Sequence, residues 1–172
     1  NSGANVDVST SNYSLTIKKN FTNSGAINTQ SGTIIFNGAS AQTIGGSTTT
    51  NFYNLTISNT SGNVLLSNSE NLLNTLTLSS GTLSTNSQAF TMISDANNTA
   101  RIGPITGTGN IIGNVIVQRF APGGTTGWAL IGTPISSALT LNDWDDDIAI
   151  SCPTCPDGSA SGFLSIYTYD ET

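Results

Sequence analysis

Apolar and polar residues alternate along most of the chain with a period of two. Residues 13–17, 53–57 and 75–78 carry Leu or Ile at alternate positions, with Ser, Thr or Asn between them. A helix would instead repeat its apolar residues every three to four positions. The pattern therefore predicts β-strands, and the Gly-, Asn- and Ser-rich segments between the runs predict turns. We expect an all-β protein without long helices.

The strand-like runs also recur at a regular spacing. Leu15, Ile34, Leu55 and Leu76 occupy equivalent positions in successive runs, 19, 21 and 21 residues apart. A repeat of about twenty residues with two or three short strands is typical of one turn of a parallel β-helix. The same alternation also permits an antiparallel sandwich with two-residue hairpins. We favour a parallel β-helix-like solenoid, because a sandwich has no reason to keep a constant period.

The texture of the sequence changes after residue 98. The later part contains Pro- and Gly-rich stretches and the bulky Phe120, Trp128 and Trp144. We therefore predict a solenoid repeat region over 1–98, followed over 99–172 by a β-rich, sandwich-like module that is truncated at its C-terminus. Because the chain starts without Met and stops after a strand-like run, we expect a fragment whose signal peptide or anchor lies outside it.

The composition is poor in charge. Charged residues make up 8% of the chain, against roughly 25% in typical soluble domains, so solubility must rest on Ser, Thr, Asn and Gly. The net charge of −6 argues against nucleic acid as a partner, because few cations are present to displace counterions. The longest apolar runs are too short to span a bilayer, so we expect no membrane insertion.

Several segments resemble the repeats of large surface proteins of Bacteroidota that the type IX secretion system exports. The segments that carry this resemblance are residues 32–38, 42–46, 52–59 and 76–83, and residues 113–120 with Trp128 and 132–135 resemble a module that often follows such repeats. The resemblance implies an extracellular or outer cell-surface location and a role in adhesion, gliding motility or surface architecture. It also implies the secretion machinery and other surface proteins or glycans as partners.

Cys152 and Cys155 are the only cysteines and form a CxxC pair. A redox site would place the first Cys at the start of a helix, and no helix is predicted there. A zinc site would need two more Cys or His ligands, which the chain lacks. We favour a structural disulfide between Cys152 and Cys155 in an oxidising compartment, with free thiols as the alternative.

The acidic residues are concentrated near the C-terminus. Residues 142–172 hold seven Asp and Glu and no Lys or Arg. Asp143, Asp145 and Asp147 are candidate Ca²⁺ ligands, because hard cations bind several oxygens gathered on one loop. The spacing does not match an EF-hand, and a solvated acidic loop is the favoured alternative. We predict no other cofactor.

We expect no enzymatic activity. The chain has no His for general base catalysis, and the acidic residues before residue 142 are far apart in sequence. Threonine-rich runs raise the possibility of ice binding, but Thr is also the ordinary choice for a solvent-facing strand position. Phe52 and Tyr53 are candidates for stacking on sugars, although such residues more often cap a core.

These observations favour a non-enzymatic, adhesin-like or structural module of a secreted or cell-surface protein. In this hypothesis the solenoid is a stiff spacer, and loops of the second module make the contacts. Two alternatives stay open: a subunit that self-associates through exposed β edges into a fibre or coat, and a carbohydrate-binding accessory module of a secreted enzyme.

Overall fold

The computed structural model describes residues 5–120, which form strands, turns and loops and contain no helix. In chain order the strands are β1 (Asn5–Asp7), β2 (Leu15–Ile17), β3 (Phe21–Asn23), β4 (Ala26–Asn28), β5 (Thr33–Phe36), β6 (Gln42–Gly46), β7 (Asn51–Ile57), β8 (Val64–Leu66), β9 (Glu70–Leu78), β10 (Thr82–Ser84), β11 (Phe90–Met92), β12 (Arg101–Ile102), β13 (Asn110–Ile112) and β14 (Ile116–Val117). The predicted all-β class is confirmed.

The strands stack in parallel as a β-solenoid of about five turns. One sheet has the order β13-β10-β8-β6-β3, a second has the order β14-β11-β9-β7-β5-β2 with β12 beside β9, and β1 pairs with β4. Each strand pairs with the strand one turn away along the chain, and these pairings are parallel. The predicted solenoid is therefore confirmed, and the antiparallel sandwich is wrong for the described residues.

The two longest strands turn a corner. In β7 and β9 the pairing register shifts between Phe52 and Asn54, so that Phe52 pairs with Leu72 and Asn54 pairs with Thr75. Each of these strands thus contributes to two walls of the same turn. We call the wall formed by β2, β5, residues 54–57, residues 75–78 and β12 the central wall.

The interior is filled by columns of apolar side chains that run along the stack. Leu15 pairs with Ile34, Ile34 with Leu55 and Leu55 with Leu76, and the last three are fully buried. This is the column that the spacing of the sequence predicts, so the predicted register is confirmed. Burying one such aliphatic side chain stabilises the fold by about 1.5–3 kcal/mol, and the columns supply this repeatedly.

Aromatic rings fill the first turns of the interior. The ring of Phe21 packs edge-on against Phe36, with centroids 6.3 Å apart, and lies 6.4 Å from the ring of Phe52. Phe52 is fully buried. The idea that Phe52 stacks on a sugar is therefore wrong, because its ring belongs to the core.

The stacking continues past the predicted domain boundary. Strands β12, β13 and β14 pair in parallel with β9, β10 and β11, so residues 98 and 99 lie inside the stack. Most of the predicted second module falls at 121–172, outside the described residues, and it stays a prediction.

The fifth turn is longer than those before it. Leu76 pairs with Ile102, a step of 26 residues, whereas the preceding step from Leu55 to Leu76 is 21 residues. The added residues form a loop over 93–100, closed by an antiparallel bridge between Ser94 and Thr99. Its tip is held by the Asp95 carboxylate, which accepts hydrogen bonds from two backbone N–H groups of the loop.

Candidate functional site

The site residues predicted from the sequence lie outside the described part of the chain. This holds for the candidate calcium ligands Asp143, Asp145 and Asp147 and for the cysteine pair Cys152 and Cys155. Within residues 5–120, no group of three or more His, Cys, Asp or Glu side chains could hold a metal ion. The calcium site and the disulfide therefore stay predictions, and the candidate features below come from the solenoid itself.

The outer surface of the central wall is polar but almost uncharged. One outward column pairs Thr33, Asn54 and Thr75, and the next pairs Ile35, Thr56 and Thr77. Hydroxyl and amide groups at these positions solvate the wall without charge, which explains how a chain with so few ionisable groups presents a polar exterior. Such a surface can donate and accept hydrogen bonds but has no group that transfers protons near neutral pH.

A ladder of amide side chains crosses the turns at the edge of the central wall. Asn54 Nδ2 donates to the Ser31 carbonyl oxygen at 3.2 Å, and Asn74 Nδ2 donates to Asn54 Oδ1 at 2.8 Å. Arg101 then donates to Asn74 Oδ1 at 3.2 Å. The ladder ties four consecutive turns together by side chains, in addition to the backbone pairing. Each such hydrogen bond contributes about 1 kcal/mol to stability.

A second polar cluster is buried at the corner that precedes β6. The Gln42 Nε2 atom donates to the carbonyl oxygens of Ile17 at 3.0 Å and Lys19 at 2.8 Å. Its Oε1 atom accepts from Gly38 N at 2.8 Å and from Asn59 Nδ2 at 3.0 Å. Gln42 thereby satisfies the loop carbonyls of the turn before it, and its own four hydrogen-bonding positions are all occupied. The cluster fixes the corner.

The third polar cluster contains the only buried carboxyl group in the described chain. Glu70 opens β9 and is 0% exposed. Its Oε2 atom accepts a short hydrogen bond of 2.5 Å from Thr50 N, one turn earlier. Asn23 Nδ2, a further turn away, donates to the Thr50 hydroxyl at 3.0 Å. Asn23, Thr50 and Glu70 thus form a buried column, which we call the Glu70 column.

One oxygen of Glu70 has no hydrogen-bond donor. Within residues 5–120 nothing donates to Oε1, although that atom is buried. Burial raises the pKa of Glu70 from 4.5 to about 7, against the effect of the backbone and hydroxyl of Thr50, which lower it. An unpartnered buried oxygen is uncommon in proteins and disfavours the ionised form of the acid.

The other two carboxylates of the described chain are exposed and held locally. Asp7 accepts from the side chains of Asn28 and Gln30 in the next turn. Hydrogen bonds from the backbone N–H groups of Asn97 and Asn98 lower the pKa of Asp95. The three described carboxyl groups belong to separate local clusters, and none hydrogen-bonds another. Paired carboxylates for general acid and base catalysis are not formed by residues 5–120.

The sequence pattern contains a signal for Glu70 that was not used. Glu70 shares the phase of Leu72 in the alternation of β9, so a strand there directs both side chains inward. Sequence reasoning took Glu70 only as a charge. Its partners Thr50 and Asn23 are 20 and 47 residues earlier, and only the register of the turns brings them together.

Comparison with protein-family models, with curated proteins and with solved structures finds no match for this chain. A search of the described residues likewise finds no helix long and apolar enough to cross a membrane.

Proposed function

We propose that this chain is a non-enzymatic module of a secreted or cell-surface protein, adhesin-like or structural, in which the solenoid acts as a stiff spacer. The observation that carries the proposal is the continuous parallel pairing of successive turns from β1 to β14. A spacer needs resistance to bending and a surface that stays soluble without binding indiscriminately. Both properties follow from features of the described residues.

Stiffness follows from the way each turn is held. A turn in the middle of the stack pairs its backbone with the turn before and the turn after, so bending lengthens hydrogen bonds along one whole wall. The Asn54, Asn74 and Arg101 ladder adds side-chain bonds in the same direction. At roughly 4.8 Å per turn, about five turns give a stack on the order of 25 Å. The module therefore serves as one segment of a longer spacer.

The chemistry of the surface supports a passive role. Among the described residues, the single buried titratable acid is enclosed in the core, and the walls carry Thr, Ser and Asn. The burial of Phe52 removes one candidate aromatic platform for sugars. These features favour the spacer over the carbohydrate-binding alternative.

Force spectroscopy tests the spacer directly. The full chain is held by its two ends and stretched; a stiff solenoid should extend little until it unfolds in discrete steps of about one turn. The variant Asn74→Ala removes the middle of the amide ladder and should lower the unfolding force, with Thr77→Ala on the same wall as the matched control. Smooth extension at low force would contradict the proposal.

The proposed location needs its own experiment. An antibody raised against the folded chain should label intact cells of the producing organism and should detect the protein in their medium if it is released. Labelling that appears only after the cells are permeabilised would rule out the surface or secreted location, whatever the mechanics of the solenoid.

A specific observation favours self-association as a second candidate function. Strands β12, β13 and β14 form the last described turn, and Ile102, Ile112 and Ile116 are 43, 52 and 50% exposed. Edge strands with apolar side chains are the usual route by which β-proteins associate. Light scattering should then show a mass that rises with concentration, and Ile112→Lys should reduce it. Ser84→Lys, one turn earlier in the same column, is the control.

A further inference from the structure

The Glu70 column places a carboxyl group inside a stack that otherwise has an apolar interior. Glu70 sits in the first part of β9, its backbone N–H donates to the Ala89 carbonyl oxygen at 2.9 Å, and it pairs with the fully buried Phe90 of β11. On the other side lie Thr50 and Asn23. The groups packed against the carboxyl are therefore uncharged.

No counter-ion stabilises an ionised Glu70. The described charged residues other than Glu70 are exposed to solvent: they are Asp7, Lys18, Lys19, Asp95, Arg101 and Arg119. Two donors of Thr50 face the carboxyl, whereas an ionised carboxylate can accept about four hydrogen bonds. A buried charge with half of its acceptors empty is strongly disfavoured relative to the neutral acid.

We propose that the Glu70 column is a proton-sensitive latch at a corner of the solenoid, closed while Glu70 is protonated and weakened when Glu70 ionises. The latch joins three consecutive turns through Asn23, Thr50 and Glu70. When the carboxyl group loses its proton, the unpartnered Oε1 must either draw in water or leave the interior. Both responses open the corner between the Thr50 segment and β9.

The direction of the pH dependence follows from the two states of the chain. The ordinary pKa is 4.5 and the folded value is about 7. Below 4.5 the acid is neutral in both folded and unfolded chains, so the stabilising effect of the closed latch is complete. As the pH rises to about 7 the unfolded chain ionises first and folding stability falls, and above about 7 the loss is complete.

The rest of the chain makes this range unusually easy to interpret. The sequence contains no His, and His is the side chain that ordinarily titrates between about pH 5 and 8. Free Asp and Glu have ordinary pKa values below about 5. A change in stability across this interval therefore points to Glu70 more directly than it would in a typical protein.

The first test compares thermal unfolding of the full chain and the variant Glu70→Gln from about pH 5 to 8. Gln keeps the size and an acceptor for Thr50 but cannot ionise. The wild-type melting temperature should fall as the pH rises, with the unfolding constant increasing on the order of a hundredfold, while the variant stays nearly flat. The exposed Asp95→Asn serves as control and should retain the wild-type slope. Parallel profiles for wild type and Glu70→Gln would overturn the proposal.

A second test needs only the wild-type protein and so survives if Glu70→Gln does not fold. The chain has two Glu residues, Glu70 and Glu171, so glutamate labelled with ¹³C at the carboxyl gives two side-chain carboxyl signals in NMR. One signal should titrate with a midpoint near pH 7. If both titrate below about pH 5, a water molecule or a local opening solvates Glu70 and there is no latch.

Discussion

At the scale of single residues, the corners of the solenoid depend on a few positions that no neighbour can replace. Gln42 and Asn59 satisfy buried backbone groups from adjacent turns, and glycine occupies the places where one turn passes close to another. Gly81 has a φ of +81°, and a Cβ atom there would overlap the carbonyl oxygen of Asn59. These positions carry more stability than their small or polar side chains suggest.

The variant Gln42→Ala should destabilise the solenoid by roughly 3 kcal/mol, because it leaves two loop carbonyls and two N–H donors without their buried partners. The free energy of unfolding in urea measures the effect. Thr43→Ala is the matched control, since Thr43 is the next residue of β6, is only partly buried and makes no side-chain hydrogen bond to a described residue. Equal losses for the two variants would show that the corner cluster does not contribute.

The variant Gly81→Ala should cost roughly 2 kcal/mol or more, because it combines an unfavourable φ with a steric overlap against the preceding turn. Gly103→Ala provides the comparison: a Cβ atom there would meet Thr75 Cγ2 at 3.3 Å, and no positive φ is involved. Thermal melting of both variants checks the prediction. A Gly81 variant as stable as the Gly103 variant would contradict the close approach of these turns.

At the scale of elements, the strands show which structural information the sequence contains. Alternation predicts the strands, and a constant period predicts that Leu15, Ile34, Leu55 and Leu76 stack; both follow from local chemistry. The 26-residue step to Ile102 hides the fifth turn, because an inserted loop breaks the period. This explains why the sequence suggested a boundary at residue 98 where the stacking in fact continues.

The buried polar clusters could not be predicted from the sequence for a different reason. Gln42 and Glu70 occupy inward positions that pattern reasoning reserves for apolar residues. Their partners, the Ile17 carbonyl and the Thr50 N–H, are 25 and 20 residues away. A side chain in an interior position is acceptable only when such partners exist, and a single sequence does not reveal the register to that accuracy.

The alternation of β9 gives a sharp test at this scale. Leu76→Ala should destabilise the fold by about 2–5 kcal/mol, since it leaves a cavity in a closed column. Thr77→Ala, one residue further and on the outer surface, should cost less than about 0.5 kcal/mol. Denaturant titration of the two variants distinguishes them, and a reversed order would mean that the strand presents its other face to the core.

At the scale of the whole described stack, stability is distributed along one dimension. Each turn contacts only its neighbours, so inner turns are held on both sides and the first described turn on one side. Hydrogen exchange should therefore be slowest in the part of β7 and β9 that lies on the central wall and faster in β1 and β2. Mass spectrometry of peptides after timed exchange measures this. Uniform protection from β1 to β9 would indicate a single cooperative unit instead.

The loop over 93–100 shows what this architecture permits over evolutionary time. Additional residues enter the fifth turn, yet β12 still meets β9 in register on the central wall. Length can thus be gained at a bend without repacking a single column. A lineage that inherits this scaffold is free to vary the decorations at its bends, one turn at a time, while the frame that bears them stays the same.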